Sequence, residues 1–148
     1  MSGEPEALRG DLSAWCTSYV EAFEAFDVRA IGSHWSFPAT ILTGNRQMVL
    51  KTVDDFNANT AALVDFYRAQ DVAQVKRVVR RVFQMSECLA AMQVSDVMQS
   101  ASGDTLVEWD SSYVLREDGN TWRAIFADAN GEVNAWASRG TPLGGRSN

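Results

Sequence analysis

Residues 72–128 read VAQVKRVVRRVFQMSECLAAMQVSDVMQSASGDTLVEWDSSYVLREDGNTWRAIFAD, and this stretch decides the fold. It holds four runs rich in β-branched and aromatic residues, at 72–85, 88–99, 105–116 and 121–128. The connections between them have the length of hairpin turns, and two contain glycine where a positive φ can be needed. The sequence therefore predicts an antiparallel meander of four long strands.

Helical patterns dominate the residues before this meander. Apolar side chains recur at spacings of three and four from residue 5 to 26, which predicts a long amphipathic helix. Asp27 is a suitable N-cap for a short helix through about Trp35, and Pro38 discourages its extension. Thr52 can cap a third helix over residues 53–69.

A short hairpin is predicted between the second and third helices. Residues 37–43 and 47–50 form its strands, and Gly44 with Asn45 supplies the turn. Three N-terminal helices followed by strands place the helices on one face of an antiparallel sheet. This is an α+β fold, a cone-shaped curved sheet that can enclose an apolar pocket.

The rest of the chain adds little to this architecture. Residues 132–138 are interpreted as a short edge strand or a packed loop. From Gly140 onward, small and polar residues predict a disordered tail. A chain of 148 residues suits one core, so we expect one domain over residues 1–139 and a tail over 140–148.

Charge and composition argue against some classes of function. The net charge of −6 and the pI near 4.7 oppose binding to nucleic acid or to anionic membranes. The basic cluster Lys76, Arg77, Arg80 and Arg81 divides between two faces of a strand, and either a solvated or salt-bridged strand or an anion or partner site fits it.

Metal and cofactor chemistry are disfavoured. His34 is the only histidine, Cys16 and Cys88 lack metal-ligand spacing, and no glycine-rich phosphate loop follows a strand. We therefore expect no metal and no cofactor. The N-terminus has no signal-peptide pattern and no run is long and apolar enough to span a membrane, so the sequence predicts a soluble cytoplasmic protein.

Strand alternation predicts which side chains face the interior. In the third run one face carries Val107, Trp109, Ser111, Tyr113 and Leu115. In the last run the same rule groups Trp122, Ala124, Phe126 and Asp128 on the inward face.

The order of motifs resembles a known group of proteins. YVEAFEAFDVRAI, residues 19–31, followed by GSHWSFPATILT, residues 32–43, is similar to the first helices and strand of the ketosteroid isomerase and SnoaL-like group in the nuclear transport factor 2-like superfamily. SYVLREDGNTWR, residues 112–123, resembles the hairpin of its last two long strands. The resemblance covers about residues 8–128 and implies an α+β cone with an apolar cavity.

The resemblance also implies site residues. In ketosteroid isomerase a tyrosine and a protonated aspartic acid hold the enolate oxygen while an aspartate base moves the proton. The tyrosine corresponds to Tyr19 and the base to Thr43, whose hydroxyl is too weak a base for that reaction. The second oxygen donor falls near Ser111, because neighbouring Asp110 should face the other way. Whether the protein is an enzyme stays open.

Several candidates have two interpretations. Tyr19 is either a packed tyrosine or a cavity donor, and Asp128 either caps a loop or, partly desolvated, acts as acid or base. Asp96 either enters the cavity or is structural, and His34 either lies near the opening or caps a helix. The five tryptophans are core residues or line an aromatic pocket.

The sequence thus predicts a protein that binds a small apolar or aromatic metabolite, possible reactions being isomerisation, dehydration or hydrolysis. Tyr19 and Asp128 are the catalytic candidates. The ligand-binding candidates are Trp15, Trp35, Thr43, Phe56, Trp109, Ser111 and Phe126. The alternative is a noncatalytic member that forms a homodimer through its sheet or docks another protein, which apolar Val97, Val114 and Ile125 on outward strand faces favour.

Overall fold

The computed structural model describes residues 4–143 and has an α+β architecture. Its elements, in chain order, are α1 (Glu6–Glu24), α2 (Val28–Gly32), β1 (Trp35–Leu42), β2 (Gln47–Leu50), α3 (Val53–Ala69), β3 (Gln74–Ser86), β4 (Leu89–Gln99), β5 (Thr105–Asp118), β6 (Thr121–Asp128) and α4 (Asn130–Arg139). The predicted α+β fold class is confirmed.

The strands form one curved, open sheet in the order β2-β1-β6-β5-β4-β3. Strands β3 to β6 are the predicted antiparallel meander, and β1 pairs with β6 in parallel, which attaches the short hairpin to the end of the meander. Asp27 and Thr52 accept hydrogen bonds from the N–H groups of Ala30 and Asp55, so both predicted N-caps are present.

The core has two parts on the concave face of the sheet. The larger part is built around α1, β1 and the inner faces of β4 and β5, and includes Leu12, Ile31 and Leu115. The smaller part joins Tyr67, Val107 and Trp136. Trp136 is fully buried and comes from an element that the sequence did not predict.

Helix α4 corrects the interpretation of residues 132–138 as an edge strand or loop. Glu132 lies in its first turn, Arg139 in its last turn, and Gly140 ends it in the left-handed conformation at φ 91°. Val133 and Trp136 therefore follow helical rather than strand spacing. The helix packs against β5 and adds a fourth helix to the three predicted.

Residues 140–143 continue directly from α4, and Leu143 packs against the smaller core part. The remainder of the predicted tail, residues 144–148, lies outside the described residues. Between residues 4 and 143, no helix combines the length and apolar character that crossing a membrane requires.

A β-bulge corrects the predicted faces of β6. Leu115 pairs with Ala124 but Val114 pairs with Phe126, so one extra residue lies between these two pairs on β6. Side chains after the bulge therefore change faces. Ala127 points into the core, while Phe126 and Asp128 lie opposite Val114 and Ser112 on the outer face.

Candidate functional site

Aromatic rings fill the interior in which the sequence predicted an apolar cavity. Tyr19 stacks on Trp15 with ring centroids 4.6 Å apart, and Trp35 lies 5.0 Å from Phe56. Tyr113 from β5 approaches both Trp15 and Trp35, at 5.7 and 6.3 Å. Four predicted site residues, Trp15, Tyr19, Trp35 and Phe56, are thus brought together.

A buried ion pair lies beside these rings. Strand register places Arg77 of β3 directly opposite Asp96 of β4, both on the concave face. Arg77 donates from Nε to Oδ1 of Asp96 at 2.7 Å and from Nη2 to Oδ2 at 2.9 Å, with side chains 7 % and 1 % exposed. This bidentate geometry is the strongest form of arginine–carboxylate pair.

Tyrosine side chains complete the environment of Arg77. Its Nη2 also donates to the Tyr113 hydroxyl at 2.9 Å, and its guanidinium lies 4.9 Å from the Tyr113 ring and 5.6 Å from the Tyr19 ring. Burial alone would lower the pKa of Arg77, but Tyr113 and Asp96 raise it well above its ordinary value. The guanidinium therefore stays charged.

The environment of Nη1 of Arg77 is less polar. Within residues 4–143 this buried, inaccessible nitrogen makes no hydrogen bond to a nitrogen or oxygen acceptor, while the Cys16 thiol interacts with the guanidinium, which opposes the rise in the pKa of the thiol that burial causes. Arg77 and Cys16 both line a groove of about 450 Å³ between α1 and β3, together with apolar Val20, Val75 and Val79. A buried donor without a partner is costly, and such groups are uncommon in folded proteins.

A second polar cluster lies where α4 meets α3. The hydroxyl of Tyr67 and the Nε1 of Trp136 both donate to Oε2 of Glu132, the latter at 3.3 Å. The pKa of Glu132 is raised to about 7, mainly by burial and also by the negative charge of Asp96, while the two hydrogen bonds and the positive charge of Arg77 oppose the shift. Glu132 can therefore exchange a proton near neutral pH.

Tyr19 is buried and acts as a hydrogen-bond acceptor. Its hydroxyl accepts from Nε1 of Trp35 at 2.9 Å, and burial raises the pKa of the phenol well above its ordinary value. Ser111, the other predicted oxygen donor, accepts from Nε1 of Trp109 at 2.9 Å, and Trp109 packs against the smaller core part. The side chains of Ser111 and Trp109 are thus hydrogen-bonded to each other.

Three predicted site residues lie elsewhere. Phe126 and Asp128 face outward because of the bulge in β6, and Phe126 lines a groove with Pro38 and Arg116 on that side. Asp128 accepts from the backbone N–H of Asn130, which is the capping interpretation. Thr43 follows β1 in a turn, where its hydroxyl donates to Asn45 at 3.2 Å.

The structure also shows where Asp96, Asp110 and His34 lie. Asp96 enters the interior, whereas Asp110 is exposed and accepts from Ser95 at 2.6 Å. His34 contacts the carbonyl oxygen of Ala30 through Nδ1 at 2.7 Å and the hydroxyl of Ser18 through Nε2 at 2.8 Å. His34 therefore caps the short helix α2.

Sequence reasoning missed Arg77, Tyr113 and Glu132 as members of a polar centre. The alternation of Val75, Arg77 and Val79 does place Arg77 on an apolar face, and Met92, Val94 and Asp96 do the same for the carboxylate. Pairing these two strands would have brought the charges together. No comparable signal exists for Glu132, because residues 132–138 were not recognised as a helix.

Most of the chain matches a known protein family. A family model described as NTF2-like protein (DUF6841) matches residues 10–131. No curated protein matches the chain.

Solved structures match over most of the chain. An NTF-2 like protein of unknown function from Shewanella oneidensis has a TM-score of 0.65 at 12 % identity, over 81 % of this chain and 96 % of the other. A ketosteroid isomerase-like protein from Erwinia carotovora atroseptica gives 0.61 at 14 % identity, over 80 % and 92 %. Aln2 from a Streptomyces species gives 0.67 at 12 % identity, over 86 % and 92 %. At these identities the likeness shows the fold alone.

Proposed function

We propose that this chain, which belongs to the NTF2-like protein family (DUF6841), is a small-molecule-binding protein. Its ligand occupies the groove between α1 and β3. The single observation that carries this proposal is the groove itself, which has a volume of about 450 Å³ and is lined by apolar valines together with Arg77.

The groove has the size and composition of a ligand site. Its volume of about 450 Å³ falls within the range of small-molecule pockets, which are mostly apolar with a few placed polar groups. Valine side chains from both walls supply the apolar surface, and Arg77 supplies a donor held in one orientation by Asp96 and Tyr113. An apolar or aromatic molecule fits this arrangement.

The proposal concerns binding and assigns no reaction. Asp128, predicted as an acid or base, lies on the opposite face of the sheet from the groove. Glu132 has a pKa near neutrality but is bonded to Tyr67 and Trp136.

A blocking variant tests the site. Protein purified from cells is analysed by native mass spectrometry and then denatured, and a released small molecule is expected. Val20→Trp places an indole in the groove and should abolish the release. Val78→Trp is the matched control, because Val78 lies on the other face of β3 and is 50 % exposed. Equal release from both variants would move the ligand away from this groove.

A second candidate function is homodimer formation or protein docking through the outer face of the sheet. Val78 and Phe83 alternate with inward-facing residues of β3, and they are 50 % and 67 % exposed. Large exposed apolar side chains on a sheet face favour an interface.

A further inference from the structure

We infer that two copies of this chain associate through the outer face of the sheet, related by a two-fold axis that runs parallel to the strands between β4 and β5. This inference rests on the second candidate function and specifies its partner and its geometry. The axis places β3 of one copy over β6 of the other. Two patterns on the outer face carry it, one apolar and one of charge.

An apolar row crosses the sheet from β3 to β6. Strand register pairs Phe83 with Ala91, and Ala91 with Val114. Val114 pairs in turn with Phe126, and residues paired in this way point to the same face. At one end of the row Phe83 is 67 % exposed, and at the other end Phe126 lines a groove of about 500 Å³. The row thus has a projecting ring at one end and a groove at the other.

The axis between β4 and β5 makes this row complementary to itself. It turns the row end for end, so Phe83 of one copy lies over the partner's Phe126 and the groove beside it. Ala91 then lies over the partner's Val114, where a small side chain faces a larger one. Because every contact of a two-fold interface occurs twice, the exposed phenylalanine of each copy is covered.

The neighbouring row carries opposite charges at its two ends. It begins with Arg81 on β3, which pairs with Gln93, and it ends with Asp128 on β6, which pairs with Ser112. Gln93 and Ser112 pair with each other in the middle. The same axis therefore places Arg81 over the partner's Asp128, and it does so twice in the dimer. Complementary charges of this kind fix the orientation of two partners.

An axis running across the strands would instead place β3 over its own copy. Lys76, Arg80 and Arg81, all exposed, would then face the same residues of the partner, and opposed like charges disfavour association. The axis between β4 and β5 brings them to the half of the partner that carries carboxylates on this side of the apolar row, and Arg116 lies on the other side of that row. These carboxylates belong to Glu108, Asp110 and Asp128.

The same geometry leaves the short hairpin outside the contact. Strands β1 and β2 follow β6 in the sheet order, so the axis carries them past β3 of the partner. Val49 of β2 is 51 % exposed and belongs to the outer face, because it pairs with Thr40 and Thr40 pairs with Phe126. Val49 is therefore an exposed apolar side chain of the same face that should not contribute to the dimer.

Two matched variants test the position of the axis. Sedimentation velocity should show a dimer for the wild type and for Val49→Asp, whereas Phe83→Asp should raise the dimer dissociation constant by about tenfold or more. A monomeric wild-type protein would overturn this inference together with the homodimer itself. A dimer that tolerates Phe83→Asp, or that Val49→Asp disrupts, would overturn the arrangement and leave the homodimer standing.

A charge exchange tests the pairing of the ends. Arg81→Glu and Asp128→Arg each oppose like charges and should each weaken the dimer by about tenfold or more. In a mixed dimer of the two variants both contacts join opposite charges, so native mass spectrometry of an equimolar mixture should show heterodimers in excess of either homodimer. No excess from folded variants would overturn the pairing. Asp128 also accepts from the N–H of Asn130, so circular dichroism checks the fold, and if Asp128→Arg does not fold, the comparison of Phe83→Asp with Val49→Asp decides.

Discussion

Tyr19 contributes to the interior through a hydrogen bond that it accepts. Its hydroxyl is the acceptor for the indole N–H of Trp35, and both side chains are about 4 % exposed. Replacing the hydroxyl with hydrogen leaves a buried donor without a partner. The role of this tyrosine in stability is therefore separable from any role in ligand binding.

Tyr19→Phe should lower the free energy of unfolding by about 1 to 3 kcal/mol, the cost of a buried donor left unsatisfied. Urea denaturation followed by tryptophan fluorescence measures the change. Thr17→Val, which removes an exposed hydroxyl from the same helix, should change it by less than about 0.5 kcal/mol. An unchanged midpoint for Tyr19→Phe would show that Trp35 finds another acceptor.

Glu132 should make stability depend on pH in a predictable direction. Burial raises its pKa in the folded protein to about 7 from an ordinary value of 4.5. Between these values the folded protein holds a proton that the unfolded chain has released, so the stability contribution is complete below about pH 4.5 and is lost as pH rises to about 7. Because Glu132 is only half-buried, the loss should be about 1 to 2 kcal/mol.

Glu132→Gln tests this direction, because an amide does not titrate in this range. Thermal denaturation from pH 4.5 to 8 should show a smaller decline in stability for the variant than for the wild type. Glu108→Gln, on an exposed position of β5, should keep the wild-type profile. Identical profiles for Glu132→Gln and the wild type would remove Glu132 as the source.

At the scale of elements, α4 decides whether the smaller core part is complete. It delivers Trp136 to the interior, and its approach to β5 is close. A methyl group on Gly131 would come within 2.5 Å of the carbonyl oxygen of Asp110. Only glycine allows the start of this helix to lie so near the strand.

Two glycine substitutions should have opposite effects. Gly131→Ala should destabilise the protein by about 1 to 3 kcal/mol, because the backbone must shift to relieve the contact. Gly10→Ala, inside α1 with open space around its α-carbon, should stabilise it by roughly 0.5 to 1 kcal/mol through helix propensity. Calorimetry measures both, and a neutral Gly131→Ala would mean that α4 can move away from β5.

The bulge in β6 shows where sequence reasoning at this scale stops. The limits of β6 were predicted correctly as residues 121–128, and Ala124 does face the core. Alternation then fails, because it assumes an unbroken ladder and nothing in TWRAIFAD marks the extra residue. Phe126 and Asp128 were therefore assigned to the wrong face.

At the scale of the whole molecule, the fold was more predictable than the site. Local signals such as the N-caps Asp27 and Thr52 and the strand runs define elements one at a time. The Arg77–Asp96 ion pair depends instead on the register between two strands. The hydrogen bond between Tyr67 and Glu132 joins two residues that are 65 positions apart in the chain. Alternation places Arg77 and Asp96 on inward strand faces, but the sequence does not mark which residues of different elements lie opposite each other.

The outer face of the sheet should support a homodimer if the second candidate function holds. The double variant Val78→Ser, Phe83→Ser removes two exposed apolar side chains from that face, so sedimentation velocity should change from a dimer to a monomer. Val53→Ser, which is 43 % exposed on α3, should remain dimeric. A monomeric wild-type protein would contradict this interface.

Strand β3 is long and pairs with β4 alone among residues 4–143. Side chains cover part of its other edge, since Glu24 and Glu4 accept from the N–H groups of Val75 and Val82, and Arg9 donates to the carbonyl oxygen of Val79. An uncovered edge would invite strands from other molecules to add and begin aggregation. Exposed Lys76, Arg80 and Arg81 lie along β3, and the irregularity between Val79 and Arg81 breaks its regular ladder. Arg77 of the basic cluster therefore lies in the interior, while Lys76, Arg80 and Arg81 keep the outer side of β3 charged, which disfavours uncontrolled intermolecular growth in concentrated solution.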